Sequence, residues 1–285
     1  MIHFIFNPHA GQQKSAQKSK ILQLLRDVPN SLVWITTQPL EATQMAQKAI
    51  AQKAEKVVAV GGDGTINEVA SALLETTIPL GIIPLGSGNG LARHLGIPLQ
   101  PKEALQVALT GKEIAIDVGL INNRPFFCTM GIGFDAKVAT LFSTSTKRGF
   151  MNYVKATLKT LFQYRSISIS INKGPFEKIF SITIANANQF GNNAYISPHS
   201  DIQDAQLEVV KIKPLNFFHA GIIAVQLFLK KIHTSPKVAI TSIKSIQIQY
   251  KSNQPLHIDG EALLTTQDHL DITIDPLSLL IVAPY

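Results

Sequence analysis

A five-residue segment, Gly61-Gly62-Asp63-Gly64-Thr65, has the composition of a phosphate-binding turn. The apolar run before it, Val57–Val60, predicts a buried strand, and the pattern that begins at Ile66 predicts a helix. Glycines at such a junction let the backbone approach an anion closely, and the start of a helix adds N–H groups with partial positive charge. The spacing matches neither a Walker loop nor a Rossmann fingerprint, so neither of those two nucleotide sites is indicated.

The aspartate inside this turn has two explanations. Its negative charge repels phosphate unless a Mg²⁺ ion or a reacting hydroxyl group lies nearby. In the structural alternative, Asp63 caps the helix that follows a tight turn. The five residues by themselves do not separate the two explanations, and both stay open at this point.

Two other predicted strands end in similar loops. Pro84-Leu85-Gly86-Ser87-Gly88-Asn89-Gly90 follows the apolar run Leu80–Ile83, and Asn7-Pro8-His9-Ala10-Gly11 follows Ile2–Phe6. In a doubly wound sheet, the carboxyl ends of neighbouring strands face one crevice, where ligands bind. We therefore expect the three loops to face one ligand.

The elements that would position these loops alternate between short apolar runs and helical patterns, which is typical of βα units and a mostly parallel sheet. The predicted strands are Ile2–Phe6, Leu32–Thr36, Val57–Val60, Leu80–Ile83 and Ile114–Val118. The predicted helices are Lys14–Arg26, Glu41–Ala54, Ile66–Leu74 and Pro101–Leu109, and Leu91–Leu95 reads as a further one. The sequence thus predicts an α/β nucleotide-binding domain over residues 1–118.

After Gly119 the pattern changes to alternation at every second residue, which predicts an antiparallel, β-rich second domain over residues 119–285. Its predicted strands are Ser166–Ile171, Ile179–Ile184, Leu207–Ile212, Ile243–Tyr250 and Leu270–Ile274, and its predicted helices are Met151–Tyr164 and Phe217–Lys230. Gly119–Phe126 predicts a hairpin that turns at two asparagines. The last predicted strand, 277–285, either stays with the second domain or packs against the first domain.

The net charge is +7, with 26 Lys and Arg residues against 19 Asp and Glu residues. This balance favours anionic partners, namely a nucleotide, an acidic lipid or a nucleic acid. The excess is concentrated between Lys137 and Lys178, where eight basic residues accompany one acid, Glu177. A solvated basic face explains such a run unless a lipid substrate is argued independently.

The expected compartment is the cytoplasm. The segment Met1–Phe6 lacks the features of a signal peptide, and no apolar run approaches the roughly 18 residues of a membrane helix. The single cysteine, Cys128, excludes an intramolecular disulfide, and its apolar neighbours predict a small buried hydrophobic residue rather than a nucleophile.

The three loops resemble the catalytic domain of the diacylglycerol kinase and sphingosine kinase family, including its bacterial members. Asn7–Gly11 is similar to the family's Asn-Pro-x-x-Gly, Gly61–Glu68 to Gly-Gly-Asp-Gly-Thr-x-Asn-Glu, and Pro84–Asn89 to Pro-x-Gly-Thr/Ser-x-Asn. The resemblance continues through Gly131–Ala136 to Asp259–Glu261 and so spans nearly the whole chain. It implies the two-domain plan of diacylglycerol kinase and NAD kinase, and an ATP- and Mg²⁺-dependent transfer of the γ-phosphate to the hydroxyl of diacylglycerol or a sphingoid-type lipid.

The resemblance also implies roles for individual residues. The implied nucleotide-binding residues are Asn7, Pro8, His9, Ala10, Gly11, Thr37, Gly61, Gly62, Asp63, Gly64, Thr65, Ile66, Asn67, Glu68, Gly86, Ser87 and Asn89. Glu261 is the implied general base for the lipid hydroxyl, and Asp63 the implied Mg²⁺ holder, with an exchange of these two roles left open. We expect burial and the neighbouring Asp259 to raise the pKa of Glu261. The structural alternative for this segment is an Asp-Gly hairpin turn.

A second Mg²⁺ site, structural in kind, is implied by the similarity of Pro198–Glu208 to a metal-binding segment of bacterial lipid kinases. The implied ligands are Asp201, Asp204 and the backbone of Gln206, and oxygen ligands of this type suit Mg²⁺. Ala205 stands where the family has glycine, so a positive φ there would be strained. An ordinary polar loop is the alternative.

The partners implied are a lipid substrate and an anionic membrane surface touched peripherally, with no nucleic acid and with a homodimer left open. The rival enzyme is NAD kinase, which shares the Gly-Gly-Asp-Gly loop. A rival of another class is a catalytically silent relative that binds nucleotide or lipid. Asn186 and Asn188, on an apparent loop, are candidates for the acceptor side.

Overall fold

The computed structural model describes residues 1–11, 13–143, 157, 160–161, 164–250, 254–264 and 267–284. The chain forms two compact units, one of Met1–Ile116 with Leu277–Tyr285 and the other of Asp117–Pro276. The sequence places the division close by, after residue 118. Among the described residues no helix is both long and apolar enough to cross a membrane.

The first unit contains a parallel sheet whose strands lie in the order β2, β1, β3, β4 and β16. The strands are β1 (Ile2–Phe6), β2 (Ser31–Ile35), β3 (Lys56–Gly61), β4 (Leu80–Pro84) and the end of β16 (His269–Ala283). The three central strands are almost fully apolar because both faces of the sheet are covered. The predicted parallel sheet is confirmed, and the last strand of the chain joins it through Ile281 and Leu80.

The described residues of the first unit form five helices: α1 (Ser15–Arg26), α2 (Glu41–Ala51), α3 (Asp63–Leu73), α4 (Gly90–His94) and α5 (Pro101–Thr110). The longer ones are amphipathic and bury one stripe each, such as Ala42, Ala46 and Ala49 of α2. Helix α3 begins earlier than the predicted Ile66, because Gly62 is its N-cap and Asp63 and Gly64 form its first turn. Glycine has a low helix propensity, so the sequence pattern hides this turn.

The second unit is an antiparallel β-sandwich, as the sequence predicts. One sheet has six strands in the order β12, β11, β10, β7, β14 and β15, and the other joins the start of β16 to β13, β8 and β9. The strands are β5 (Lys112–Ile121), β6 (Arg124–Phe126), β7 (Thr129–Gly133), β8 (Ile167–Ile171), β9 (Glu177–Ile179), β10 (Ser181–Ala185), β11 (Leu207–Ile212), β12 (Val238–Ile243), β13 (Ser245–Tyr250), β14 (Pro255–Ile258) and β15 (Glu261–Leu264). Apolar side chains of both sheets form one core, to which Met130, Ile184 and Tyr250 belong.

Two predicted strands of this unit are each divided. Ile179–Ile184 is split at Phe180 into β9 and β10, and the segment at 243–250 is the end of β12 followed by β13. In both cases the two parts belong to different sheets. Burial is continuous from Ile179 to Ala185, so the first division leaves no break in the hydrophobic pattern. The second division falls at two consecutive exposed residues, Lys244 and Ser245, which interrupt the alternation.

Two helices of the second unit are described, α6 (Phe134–Ser143) and α7 (Phe217–Phe228). Helix α6 is absent from the sequence prediction, and most of the predicted helix Met151–Tyr164 lies outside the described residues. The predicted asparagine hairpin is confirmed: it joins β5 to β6, with φ of 46° at Asn122 and 64° at Asn123. Cys128 is buried, as predicted.

Candidate active site

The loops after β3 and β4 touch each other through their glycines. The Leu85 N–H donates to the Gly61 carbonyl oxygen over 2.7 Å. A Cβ atom on Gly86 would lie only 2.8 Å from the Gly62 Cα atom, so the two backbones are closer than any side chain allows. The glycines therefore bring the two loops together at the carboxyl edge of the sheet.

The loop after β1 joins the same group. The Asn7 amide nitrogen Nδ2 donates to the Thr65 hydroxyl over 2.9 Å, which links the loop to the first turn of α3. Gly11 has a φ of +69°, and a Cβ atom there would lie 2.0 Å from the Leu85 carbonyl oxygen. All three predicted loops thus contact one another within the first unit.

The carboxylate of Asp63 holds the loop after β4. Its two oxygens accept the N–H groups of Asn89 and Gly90, over 2.9 Å and 2.8 Å. Asn89 has a φ of 53° and is the N-cap of α4, and its own side chain makes no capping hydrogen bond. Asp63 therefore acts as a helix cap, but for α4 rather than for its own helix.

The start of α3 keeps the character of an anion site. Gly62 is its N-cap and supplies no side-chain acceptor, so the first-turn amides can be approached by a ligand. A cation lies at the end of the neighbouring loop, because Arg93 Nε donates to the Gly88 carbonyl oxygen over 3.0 Å. Arg93 is missing from the residues that the sequence singles out, since its side chain acts through the fold and belongs to no loop motif.

Three residues among the implied nucleotide ligands have structural contacts instead. The Glu68 carboxylate accepts the N–H groups of Leu40 and Ala42 and so caps α2, and the Ile66 side chain is buried in the core. Thr37 donates its N–H and its hydroxyl to Glu41. The Thr37 N–H is the main reason why the pKa of Glu41 lies below its ordinary value.

In the second unit, the Asp259-Gly260 turn joins β14 to β15. Both residues have positive φ, 48° and 83°, which is the geometry of a two-residue hairpin turn. The Asp259 carboxylate also accepts three backbone N–H groups, from Phe127, Cys128 and Thr129, over 2.7–3.0 Å. The structural alternative for this segment is therefore present, and Asp259 fastens the hairpin to the chain ahead of β7.

Glu261 begins β15, and its side chain is exposed. The expected burial of Glu261 is wrong: the turn projects the residue from the edge strand of the six-stranded sheet. Asp259 is its neighbour as expected, but three N–H groups offset the charge of that carboxylate. An exposed carboxylate beside an ordered turn is accessible to a hydroxyl group, from which it can accept a proton.

The loop with the implied metal ligands has a backbone shaped by aspartates. Asp201 and Asp204 each accept an N–H two residues ahead, from Gln203 and Gln206. Ala205 has a φ of 57°, so the strain expected from replacing a glycine is present. Among the described residues no group of three or more His, Cys, Asp or Glu side chains is arranged to hold a metal ion.

Negative charge nevertheless accumulates at this loop. Partial burial raises the pKa of Asp204 above its ordinary value, and the charges of Asp201, Asp117 and Glu208 raise it further against the effect of the Gln206 N–H. The Asp117 carboxylate accepts the Ala205 N–H over 2.7 Å. A cation would relieve this repulsion.

Two buried polar residues, Asp117 and Asn186, connect β5 with the chain ahead of β7 and with the segment that follows β10. Asn186 Nδ2 donates to the carbonyl oxygens of Asp117 and Phe127, and Asn186 is fully buried. Its expected place on the acceptor side is therefore wrong, because the residue lies in the core. The only signal for Asp117 in the sequence is an acid within an otherwise apolar strand.

The hairpin of β14 and β15 contains a buried histidine, His257. His257, on β14, has its Nε2 atom 3.3 Å from Asp135 Oδ2, which also accepts the Thr183 hydroxyl over 2.8 Å. A Cβ atom on Gly131 would lie 2.2 Å from the same carboxylate oxygen, which explains the glycine of the Gly131–Ala136 segment. Within the described residues, His257 Nδ1 has no hydrogen-bond partner.

Both units match known protein families. Residues 1–121 match the diacylglycerol kinase catalytic domain, and residues 128–283 match the YegS C-terminal NAD kinase beta sandwich-like domain. The chain belongs to the diacylglycerol kinase family of YegS-like lipid kinases. The family confirms the resemblance carried by the glycine loops and by the Asp259–Glu261 turn.

Curated relatives in this family include two proteins named probable lipid kinase YegS-like. The one from Yersinia pestis is 30% identical over 252 residues, which cover 84% of this chain and 83% of that protein. The one from Yersinia enterocolitica is 35% identical over 196 residues, which cover 65% of this chain and 66% of that protein.

A crystal structure described as a diacylglycerol kinase, from Bacillus anthracis, has the same fold. It superimposes with a TM-score of 0.72 at 21% identity and covers 99% of this chain and 96% of that one. Another chain from this organism reaches a TM-score of 0.80 at 23% identity. The similarity therefore extends over the full plan of an α/β unit followed by a β-sandwich.

Proposed function

We propose that this lipid kinase transfers the γ-phosphate of ATP to the hydroxyl group of a lipid, either diacylglycerol or a sphingoid-type acceptor. The observation that carries the proposal is the joining of three glycine-containing loops at the ends of β1, β3 and β4. Phosphoryl transfer depends mainly on positioning and electrostatic stabilisation. Backbone groups held in place before the nucleotide arrives meet that requirement.

In this proposal the amides at the start of α3 bind phosphate, and the Asn7–Thr65 hydrogen bond keeps the first loop in position. Arg93 supplies positive charge beside the loop after β4. Glu68, Ile66 and Thr37 contribute by ordering α2, the core and the end of β2 rather than by touching the nucleotide.

Mg²⁺ is the metal that we expect to accompany ATP, where it would offset charge on the transferring phosphate. Asp63 is the residue that would hold it. A carboxylate oxygen has more than one lone pair, so binding of the ion through water is compatible with the N–H groups that Asn89 and Gly90 donate to Asp63. Because both oxygens have this structural task, we assign the proton-accepting role to Glu261 and not to Asp63.

For the second Mg²⁺ ion we propose the loop of Asp201, Asp204 and Gln206. Partial burial is the main reason why the pKa of Asp204 is raised, and the charges of Asp201, Asp117 and Glu208 add to it; a bound cation would offset those charges. Since few carboxylates converge there, the ion would depend on backbone oxygens and retained waters, as Mg²⁺ commonly does.

A cytoplasmic location with peripheral contact at an anionic membrane completes the proposal, because the acceptor is a lipid and the net charge is +7. Much of the basic run from Lys137 to Lys178 lies outside the described residues.

The proposal can be tested with radiolabelled ATP, Mg²⁺ and three acceptors: diacylglycerol in mixed micelles, a sphingoid base, and NAD. We expect label in a lipid product and none when the Glu261→Gln variant, purified in the same way, replaces the native protein. Label on NAD alone would establish the NAD kinase-like alternative. The second unit matches an NAD kinase beta sandwich-like domain, so this alternative has to be tested. ATP binding without transfer to any acceptor would establish a silent relative.

A further inference from the structure

Helix α7 has an apolar surface on both sides, although it lies at the surface of the second unit. Its inner side buries Ala220 and Ile223, and Ile223 belongs to a core cluster with Val210 and Ile212 of β11. Phe217–Phe228 contains no charged residue. A helix that is apolar all round is normally buried, so its outer side requires an explanation.

The outer side is strongly exposed. Phe218 is 71% exposed, Val225 59% and Leu229 60%, and Ile222 lies between them. Residues at these spacings of three, four and seven lie on one face of a helix, so the four side chains form a continuous stripe. We call these four residues the α7 stripe. Contiguous exposed apolar surface of this kind marks a site of interaction.

The charged residues that flank α7 in the sequence are all lysines. From Val209 to Ile258 the sequence contains seven lysines and no aspartate or glutamate. Lys213 precedes the helix, and Lys230 and Lys231 follow it, with all three exposed. The Lys230 ammonium group lies 4.4 Å from the centre of the Tyr195 ring, which holds it at the end of the helix.

We infer that the α7 stripe and its flanking lysines dock this protein on the surface of an anionic lipid bilayer. An apolar helix face with lysines at its ends is the pattern of a helix that lies in the membrane interface, where the apolar side chains enter the acyl region and the lysines contact the headgroups. Twelve residues of helix span about 18 Å, which suits lying in the interface rather than crossing it.

Charge decides between this occupant and a second copy of the chain. Two copies facing each other through α7 would bring lysines against lysines, with no carboxylate in the whole segment to balance them. An anionic membrane supplies the missing negative charge. The inference rests on the proposed function to the extent that a lipid acceptor gives the protein a reason to reach a bilayer.

The test measures binding to sedimented vesicles without ATP and without acceptor lipid, so it does not depend on kinase activity. Vesicles of phosphatidylcholine alone are compared with vesicles that contain about one third phosphatidylglycerol, at low and high salt. We expect binding to the anionic vesicles that weakens with salt, as electrostatic attraction to a surface does. Equal binding to both compositions, or binding to neither, would overturn the inference.

The decisive variant is Phe218→Glu with Val225→Glu, and the matched control is Phe176→Glu, a phenylalanine of the same unit that is 58% exposed and lies in the segment before β9 rather than in α7. We expect the double variant to reduce vesicle affinity about tenfold or more, because two apolar anchors become charged, and the control to leave it unchanged. Equal thermal unfolding temperatures would show that all proteins are folded. A double variant that binds vesicles like the native protein would overturn the inference.

Two experimental outcomes distinguish a failure of this inference from a failure of the proposed function. If the double variant loses vesicle binding but still phosphorylates a dispersed short-chain acceptor, α7 docks the protein and the catalytic groups are intact. If the native protein binds anionic vesicles through α7 but phosphorylates no lipid, the docking surface stands while the proposed reaction fails. A concentration-dependent dimer abolished by the double variant, without vesicle binding, would make α7 an interface between copies and refute docking.

Discussion

The turn after β3 and the turn between β14 and β15 use aspartate in the same way, yet they leave different groups exposed. Asp63 accepts two backbone N–H groups and Asp259 accepts three, so each carboxylate fastens one segment to another. In the first unit the groups left for a ligand are backbone amides. In the second unit a carboxylate, Glu261, remains exposed beside the fastened turn.

An aspartate can therefore lie in a functional loop and order it without taking part in the chemical step. An aspartate whose oxygens accept backbone N–H groups orders the loop and reduces its own freedom to take a proton. In the proposed reaction, the amides bind phosphate because they are already oriented, and the exposed carboxylate acts as the base. The following predictions separate the ordering role from the chemical role.

The largest effect is expected for Glu261→Gln. Loss of the general base should lower the turnover number by about 100- to 10,000-fold, while ATP affinity and thermal stability stay unchanged. Steady-state kinetics and calorimetric ATP titration provide the two measurements. If the variant instead loses ATP binding, the turn has a structural role and the base lies elsewhere.

Asp63→Asn should follow, with a loss of activity of about 100-fold and a loss of stability of about 1–3 kcal/mol, because only one acceptor oxygen remains for two N–H groups. The kinetic parameters divide the roles. A lower turnover number at saturating ATP indicates a part in metal binding, whereas a higher KM for ATP with an unchanged turnover number indicates ordering alone. Near-native activity would remove Asp63 from the mechanism.

For Asp259→Asn the expected effect is on stability, about 1–3 kcal/mol in chemical unfolding, because three N–H groups lose the charged acceptor. Asparagine tolerates positive φ, so backbone strain does not contribute. Glu261→Gln is the matched control in the same turn and should unfold like the native protein. Equal stability of both variants would contradict the fastening role of Asp259.

The contact between the glycine loops offers a paired test. Gly86→Ala should destabilise the first unit by about 1–3 kcal/mol and weaken ATP binding, because its methyl group would lie 2.8 Å from the Gly62 Cα atom. Gly62→Ala is the control for stability, since the nearest atom would be at 3.4 Å and its φ of −91° suits alanine. Equal unfolding midpoints would show that the loops can separate.

The smallest effect is expected for Asp204→Asn, which concerns an aspartate with unbalanced charge. Its pKa is raised in the folded state, so the folded protein binds more protons than the unfolded chain above pH 3.8, and charging Asp204 costs stability as pH rises. The variant should therefore be slightly more stable than the native protein at neutral pH without divalent ions, and the gain should disappear in acid. Mg²⁺ should raise the unfolding temperature of the native protein only; a rise in both proteins would place the ion elsewhere.

Much of the fold follows from local patterns, and the failures have a common cause. The parallel sheet, the asparagine hairpin and α7 are readable because periodicity and turn residues act within a few positions. The division at Phe180 is not readable, because the residues on both sides of it, Ile179 and Ser181, are equally buried. The early start of α3 is not predicted from the sequence, because glycine has a low helix propensity. In the structure, the packing of two loops outweighs this low propensity.

The candidate site divides in the same way. The sequence identifies the three glycine loops, since glycine is required wherever backbones come this close. It does not reveal that Glu68 caps α2, that Asn186 lies in the core or that Glu261 is exposed, because burial and hydrogen-bond partners depend on residues distant in the chain.

The sequence therefore predicts a phosphate-binding turn at Gly61–Thr65 and identifies the plan of an α/β unit followed by an antiparallel β-rich unit, because both arise from short-range requirements of glycine, turns and hydrophobic periodicity. Which backbone groups each carboxylate contacts follows from the tertiary structure alone. Asp63 meets its partner 26 residues away, and Asp259 meets Phe127 at a separation of 132 residues. Such pairs form through the packing of whole elements, so no local pattern can indicate which aspartates are already bound and which carboxylate stays exposed.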